Sequence, residues 1–275
     1  MPSGKKSKEI RRAAQMKPPP VVSKGGVRRR QASPRALMIG GGVAAVVVVV
    51  IVLAVVLGSG GGGTSIPKGV PEVGSPTSAV ALPNSDFVEN LFKGIPQKGD
   101  TLGKPSAPVT MVEYIDLQCP VCQAFETNVF PDIVDKYVRP GKVKVVVRPW
   151  AFIGPDSFRG QDATVAAEKQ NKAFDFSQLL YYNQGPENTG WLTDAIIATD
   201  AASIRGMQVR KLLAERKASA VKDEVARVNA LAVAQKVSAT PTVFVGRGKK
   251  LAKVPLQNGL DKATLVDALD TALSG

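Results

Sequence analysis

Tyr114-Ile115-Asp116-Leu117-Gln118-Cys119-Pro120-Val121-Cys122-Gln123-Ala124-Phe125 carries the only two cysteines of the 275-residue chain. An apolar, β-rich run from Val109 to Leu117 leads into them, and a helical pattern follows. Their setting, at a strand-to-helix junction, puts the first sulfur at a helix N-terminus. Unpaired N–H groups and the helix dipole there favour a thiolate. Pro120 suits the first turn, where its missing N–H costs nothing. Cys122 lies one turn further on, close enough to bridge back to Cys119. This arrangement suits thiol–disulfide exchange, in which Cys119 attacks or is attacked and Cys122 resolves the mixed disulfide. Three other uses compete with it. A structural zinc site needs four N or S ligands, and the chain supplies two cysteines and no histidine. A structural disulfide across so short a loop removes little unfolded-state entropy. Inert buried thiols rarely fall at this spacing.

The absence of histidine also excludes Ser-His-Asp and Cys-His catalysis and ordinary His-metal sites, so no metal and no cofactor are expected. The formal charge of +13 is uneven. Residues 1–36 hold eleven Lys/Arg against one acid, Glu9, which leaves 25 Lys/Arg and 22 acids for the rest. The basicity belongs to a Pro- and Ser-rich tail that reads as disordered, and no nucleic-acid partner is expected from the folded part.

Leu37 to Leu57 is a run of 21 uncharged residues, Val-rich from Val46 to Val56. At about 1.5 Å per residue it spans a bilayer core as one transmembrane helix. It is longer than a typical signal-peptide core, and no small-residue cleavage site follows it closely. The Arg-rich tail before it predicts an N-terminus inside the cell membrane, in contact with anionic lipid, and an extracytoplasmic C-terminal domain. Gly58 to about residue 84 reads as a flexible tether, and residues 85–275 as one domain with an ample core.

Within that domain Val109–Asp116 has the pattern of a central strand buried on both faces. Cys119 to Arg139 reads as one helix kinked at Pro131. Lys142–Arg148, Thr242–Val245 and Lys250–Val254 read as further strands, and Asp261–Leu273 as a last amphipathic helix. Residues 157–236 read as a helical block. This element order predicts an α/β thioredoxin fold with an inserted helical subdomain, preceded by the single transmembrane helix.

The chain resembles the DsbA-like thiol–disulfide oxidoreductases in their membrane-anchored bacterial form. The residues that carry this are Gly103-x-Pro105-x-Ala107-Pro108-Val109 and Val112-Glu113-Tyr114-x-Asp116-x-Gln118-Cys119-Pro120-x-Cys122. Phe125-Glu126 and Ala239-Thr240-Pro241-Thr242-Val243-Phe244-Val245 complete the match. The resemblance implies that Cys119 is an exposed nucleophile and Cys122 a buried resolving thiol. It implies a cis-proline at Pro241, next to a backbone edge at Thr240 that pairs with an extended substrate; an ordinary trans proline at a strand start is the alternative. Glu113 matches the family's buried acid. A lone carboxylate inside an apolar strand should hold its proton to high pH and relay it to or from Cys122, unless it sits at the strand's wet end. Lys144, on the neighbouring strand, is its expected partner, and Trp150 and Trp191 are expected to pack rather than react.

Position 121 departs from the family. The strongly oxidising members carry Pro-His there, and this chain has Pro-Val. Valine offers the thiolate neither charge nor donor, so a Cys119 pKa of about 5–7 is expected, between the free value and that of the strongest oxidants. The resemblance implies an oxidase that introduces disulfides into reduced secreted proteins and is recycled by a quinone-linked membrane partner of the DsbB or vitamin-K-epoxide-reductase type. A reductase or isomerase of the same fold, or a non-catalytic binding module, are the other readings.

Overall fold

The computed structural model describes residues 65–275. The basic tail, the proposed membrane helix and the start of the tether lie outside the described residues. Among the described residues no helix is long and apolar enough to cross a membrane.

The described chain begins with α1 (Ser85–Phe92), preceded by an irregular segment, and continues through β1 (Gln97–Lys98), β2 (Thr101–Leu102) and β3 (Val109–Ile115). Then come α2 (Pro120–Asn128), α3 (Phe130–Ile133) with a π-helical turn (Val134–Val138), and β4 (Val143–Pro149). Five helices follow: α4 (Pro155–Glu168), α5 (Ala173–Tyr182), α6 (Asp194–Ala202), α7 (Val209–Glu215) and α8 (Ser219–Ala234). The chain closes with β5 (Thr242–Arg247), β6 (Lys250–Lys253), a 3-10 turn (Gln257–Gly259) and α9 (Lys262–Ser274).

The strands form one sheet in the order β1-β2-β4-β3-β5-β6. β3 runs parallel to β4 and antiparallel to β5, so it lies at the centre. Its alternation sorts side chains to two faces. Val109, Met111 and Ile115 point into the larger core with Phe125, Ile133 and Leu265, while Val112 and Tyr114 pack on the other face with Val228, Ala232 and Phe244. This is the thioredoxin arrangement, a central sheet between helical layers.

Three expectations are corrected. Residues 65–84, read as tether, lie on the domain. The Gly74 and Ser75 N–H groups donate to Met207 and Ala202 carbonyls, and Val73 bridges Gln208. A Cβ on Gly74 would stand 2.2 Å from the Ile204 carbonyl oxygen, so only glycine permits this approach. At Gly74 the glycine reflects close backbone packing, not freedom. The helix read from Cys119 to Arg139 is broken at Val129, which ends α2. Pro131 has no N–H to offer the Thr127 carbonyl, and the Tyr182 hydroxyl donates to it instead at 3.5 Å. The helical block is also shorter as an insertion than 157–236. Its last helix, α8, covers the sheet's second face with Val228 and Ala232 and belongs to the sheet's own layers.

Candidate active site

Cys119 caps α2 with extended backbone (φ −72°, ψ 120°), and its sulfur accepts the Cys122 N–H at 3.5 Å. Pro120 occupies the first turn as expected. The Thr240–Pro241 peptide bond is cis. The Thr240 carbonyl stands 3.5 Å from the Cys119 sulfur and accepts its S–H. Both thiols are unbridged.

The two sulfurs meet different surroundings. Cys119 is 6% exposed and Cys122 wholly buried, so the first is reached through a narrow opening rather than standing free as expected. Hydrogen bonding from the Cys122 thiol lowers the Cys119 pKa to about 6, aided by the Cys122 and Val121 N–H groups at the helix start and opposed by burial. Burial pushes Cys122 well above its ordinary value, and the neighbouring Cys119 adds to the rise. One thiol therefore ionises more readily than an ordinary cysteine, and the other holds its proton more tightly.

Val121 is 38% exposed at the mouth of the site. It lines a groove of about 470 Å³ with Thr240, Pro241, Lys253, Leu256 and Gly259. Gly259 has φ +71°, and a Cβ there would come within 2.8 Å of Val121 and 3.1 Å of Pro241. Any side chain at 259 would crowd Val121 and Pro241 within the groove.

Glu113 is 1% exposed on the core face of β3, and burial raises its pKa to about 8. Its Oε2 takes no hydrogen bond from any described residue. Lys144 is not its partner. In the parallel register Glu113 pairs with Val147 and Lys144 with Thr110, so alternation sends Lys144 to the opposite face. Its Nζ donates to the Pro105 carbonyl at 2.9 Å. The companion of Glu113 is a second acid, Glu126, four residues after Cys122 on the same helical stripe and 3% exposed. Burial raises Glu126 strongly, and the Glu113 charge raises it further. The i, i+4 spacing from Cys122 was the available signal for it.

Asp116 and Gln118 shape the loop before the sulfur. Asp116 Oδ1 accepts the Gln118 N–H at 3.0 Å, and Oδ2 accepts the Phe152 N–H at 3.2 Å. Gln118, fully buried, donates to Ser157 Oγ at 2.8 Å and accepts the Asn188 N–H at 2.9 Å. Trp150 stacks on Phe152 with centroids 4.7 Å apart, and Trp191 packs against Gly185; neither touches a sulfur.

A family model described as Thioredoxin matches residues 97–264, more than half of the chain. The chain belongs to the thioredoxin family. Probable disulfide bond formation protein D of Bacillus cereus is 30% identical over 148 residues, spanning 53% of this chain and 68% of that protein. Disulfide bond formation protein D of Bacillus subtilis is 28% identical over 152 residues, 52% and 66% of the two chains. The crystal structure of oxidised BdbD from Bacillus subtilis superposes with a TM-score of 0.57 at 24% identity, covering 66% of this chain and 98% of that one. With these relatives, the chain is a DsbA-like thiol–disulfide oxidoreductase.

The buried acid gives a pH signature. An unfolded Glu113 ionises near its ordinary value of 4.5, whereas the folded group holds its proton to about 8. Above the lower value the unfolded chain gains ionisation that the fold does not match, so native stability falls as pH rises through this window. Glu113→Gln removes the ionisation. In the reduced protein its stability relative to wild type should grow from about pH 5 to pH 8, by on the order of 1 kcal/mol or more. Urea titrations across that range check it, and a difference flat with pH contradicts it.

Proposed function

We propose that Cys119 and Cys122 are the redox pair of a membrane-tethered, extracytoplasmic oxidase that forms disulfides in secreted or cell-envelope proteins. The observation that carries this reading is the asymmetry of the two sulfurs, Cys119 capping α2 and accepting the Cys122 N–H at the mouth of a groove, and Cys122 wholly buried one turn on. In the oxidised protein a substrate thiolate attacks Cys119 Sγ, the S–S bond breaks, and Cys122 leaves. Its sulfur needs a proton because its buried thiolate is costly. The protonated Glu113 carboxyl, on the same side of the sheet, supplies it. A second substrate thiolate then attacks the mixed disulfide and expels Cys119, which leaves readily as a stabilised thiolate. Two electrons pass from the substrate dithiol to the Cys119–Cys122 pair, and a new substrate disulfide forms.

Substrate recognition falls to the groove beside the sulfur. Thr240 and Pro241 present backbone there, and an extended chain can pair with it while its side chains meet Val121 and Leu256. The reduced pair then needs an electron acceptor, and a quinone-linked membrane protein of the DsbB or vitamin-K-epoxide-reductase type fits the resemblance. The run Leu37–Leu57 would keep the domain close to such a partner.

Cys119→Ser is expected to abolish exchange, and Cys122→Ser to accumulate mixed disulfides with substrate proteins. In the wild-type reduced protein, iodoacetamide at neutral pH should modify Cys119 much faster than Cys122. Equal rates overturn the assigned roles. Protease added to intact spheroplasts is expected to digest the domain and spare the Arg-rich tail; a protected domain would reverse the topology and remove the oxidase reading, since cytosolic thiols are kept reduced.

A further inference from the structure

The helical insertion reaches back to the redox loop and holds its backbone. The Tyr181 hydroxyl donates to the Asp116 carbonyl at 3.0 Å. Two residues past the end of α5, the Gln184 side-chain amide donates to the Leu117 carbonyl at 2.9 Å and to the Cys119 carbonyl at 3.3 Å. One NH₂ group therefore grips the carbonyls on either side of Gln118, which fixes the dihedrals of Gln118 and Cys119 together.

Gln184 is itself well anchored. Its N–H donates to the Tyr181 carbonyl. The side chain of Asn183 before it donates to the Leu179 and Pro83 carbonyls at 2.9 and 3.0 Å. Gly185 after it lies under Trp191, where a Cβ would come within 2.6 Å of the indole. The amide is thus presented from a fixed point rather than from a free loop.

We propose that Gln184 is a positioning residue for Cys119, holding the cap backbone so that the first N–H groups of α2 point at the sulfur. The proposal rests on Cys119 being the nucleophile. The Cys119 carbonyl already accepts the first helical bond, from the Gln123 N–H at 3.0 Å. Gln184 supplies its second donor, so both lone pairs of the cap carbonyl are held. Without that amide the Cys119 carbonyl keeps only its helical bond and is no longer tied to the Leu117 carbonyl, so the loop before the cap can shift and the Val121 and Cys122 N–H groups lose their aim at Sγ. The titratable groups around the sulfur, Cys122, Asp116 and Tyr181, stay in place when Gln184 is replaced.

The test uses the full-length reduced protein, whose two cysteines are its only thiols. Iodoacetamide labelling of Cys119 is followed by mass spectrometry as a function of pH. Gln184→Met keeps the length and removes the donor; its labelling midpoint should rise by about one unit, roughly a fivefold loss of thiolate at pH 6. Gln184→Glu, which sets a carboxylate against the two carbonyls, should rise at least as far, and Gln184→Asn, with the donor on a shorter arm, should fall between Met and wild type. Asn128→Ala removes a comparable amide–carbonyl bond at the far end of α2 (2.8 Å to Ala124) and should leave the midpoint where it was. A low wild-type midpoint left unmoved by both Gln184→Met and Gln184→Glu overturns the positioning role. A wild-type midpoint at the ordinary thiol value overturns the reading of Cys119 itself.

Discussion

A sulfur at the open end of a helix faces N–H groups that have no acceptor of their own, and Cys119 is held in that position. The Cys122 N–H lies 3.5 Å from its sulfur, and the Cys122 thiol stands beside it as a further donor. These contacts favour the thiolate over the thiol, and burial only partly offsets them. In a dithiol–disulfide couple that preference stabilises the reduced form, because the thiolate exists only there. The surrounding architecture serves to keep this one contact in register. β3 delivers the chain to the helix start, and the insertion grips the carbonyls behind it.

The same geometry separates the roles of the two thiols. Cys122, one turn into the helix, loses contact with solvent altogether and faces the core side of β3, where Glu113 and Glu126 lie. Two buried carboxyls with no cation between them among the described residues cannot both ionise cheaply, so burial holds protons on them. Lys144 would have neutralised this pair had it faced the same way. Its placement on the opposite face leaves the two acids to burial, which raises both.

Much of this was legible in the sequence because it follows from local rules. The apolar run Val109–Ile115 gave the central strand, Pro120 marked the helix start, and valine at 121 set a moderate expectation for the Cys119 pKa. What failed depended on non-local facts. The face of Lys144 follows from the β3–β4 register, which composition alone does not fix. Residues 65–84 read as tether because a glycine chosen for close packing, such as Gly74, looks the same in sequence as one chosen for freedom. The break at Val129 lay two residues before the proline blamed for it, since the bond Pro131 cannot make belongs to Thr127. Gln184 sits 65 positions beyond Cys119 in a stretch that reads only as a helix end, and nothing local marks it as a partner of the redox loop.

The central claim, that helix-end and thiol donors stabilise the Cys119 thiolate without help from the side chain at position 121, is tested most directly by the reduction potential of the Cys119–Cys122 pair, measured by equilibration in glutathione redox buffers. The account predicts a value between roughly −250 and −140 mV, more oxidising than thioredoxin and less so than the strongest DsbA-type oxidants. A value at or below about −270 mV would show that the thiolate is stabilised no more than in thioredoxin, and would contradict the oxidase reading built on it.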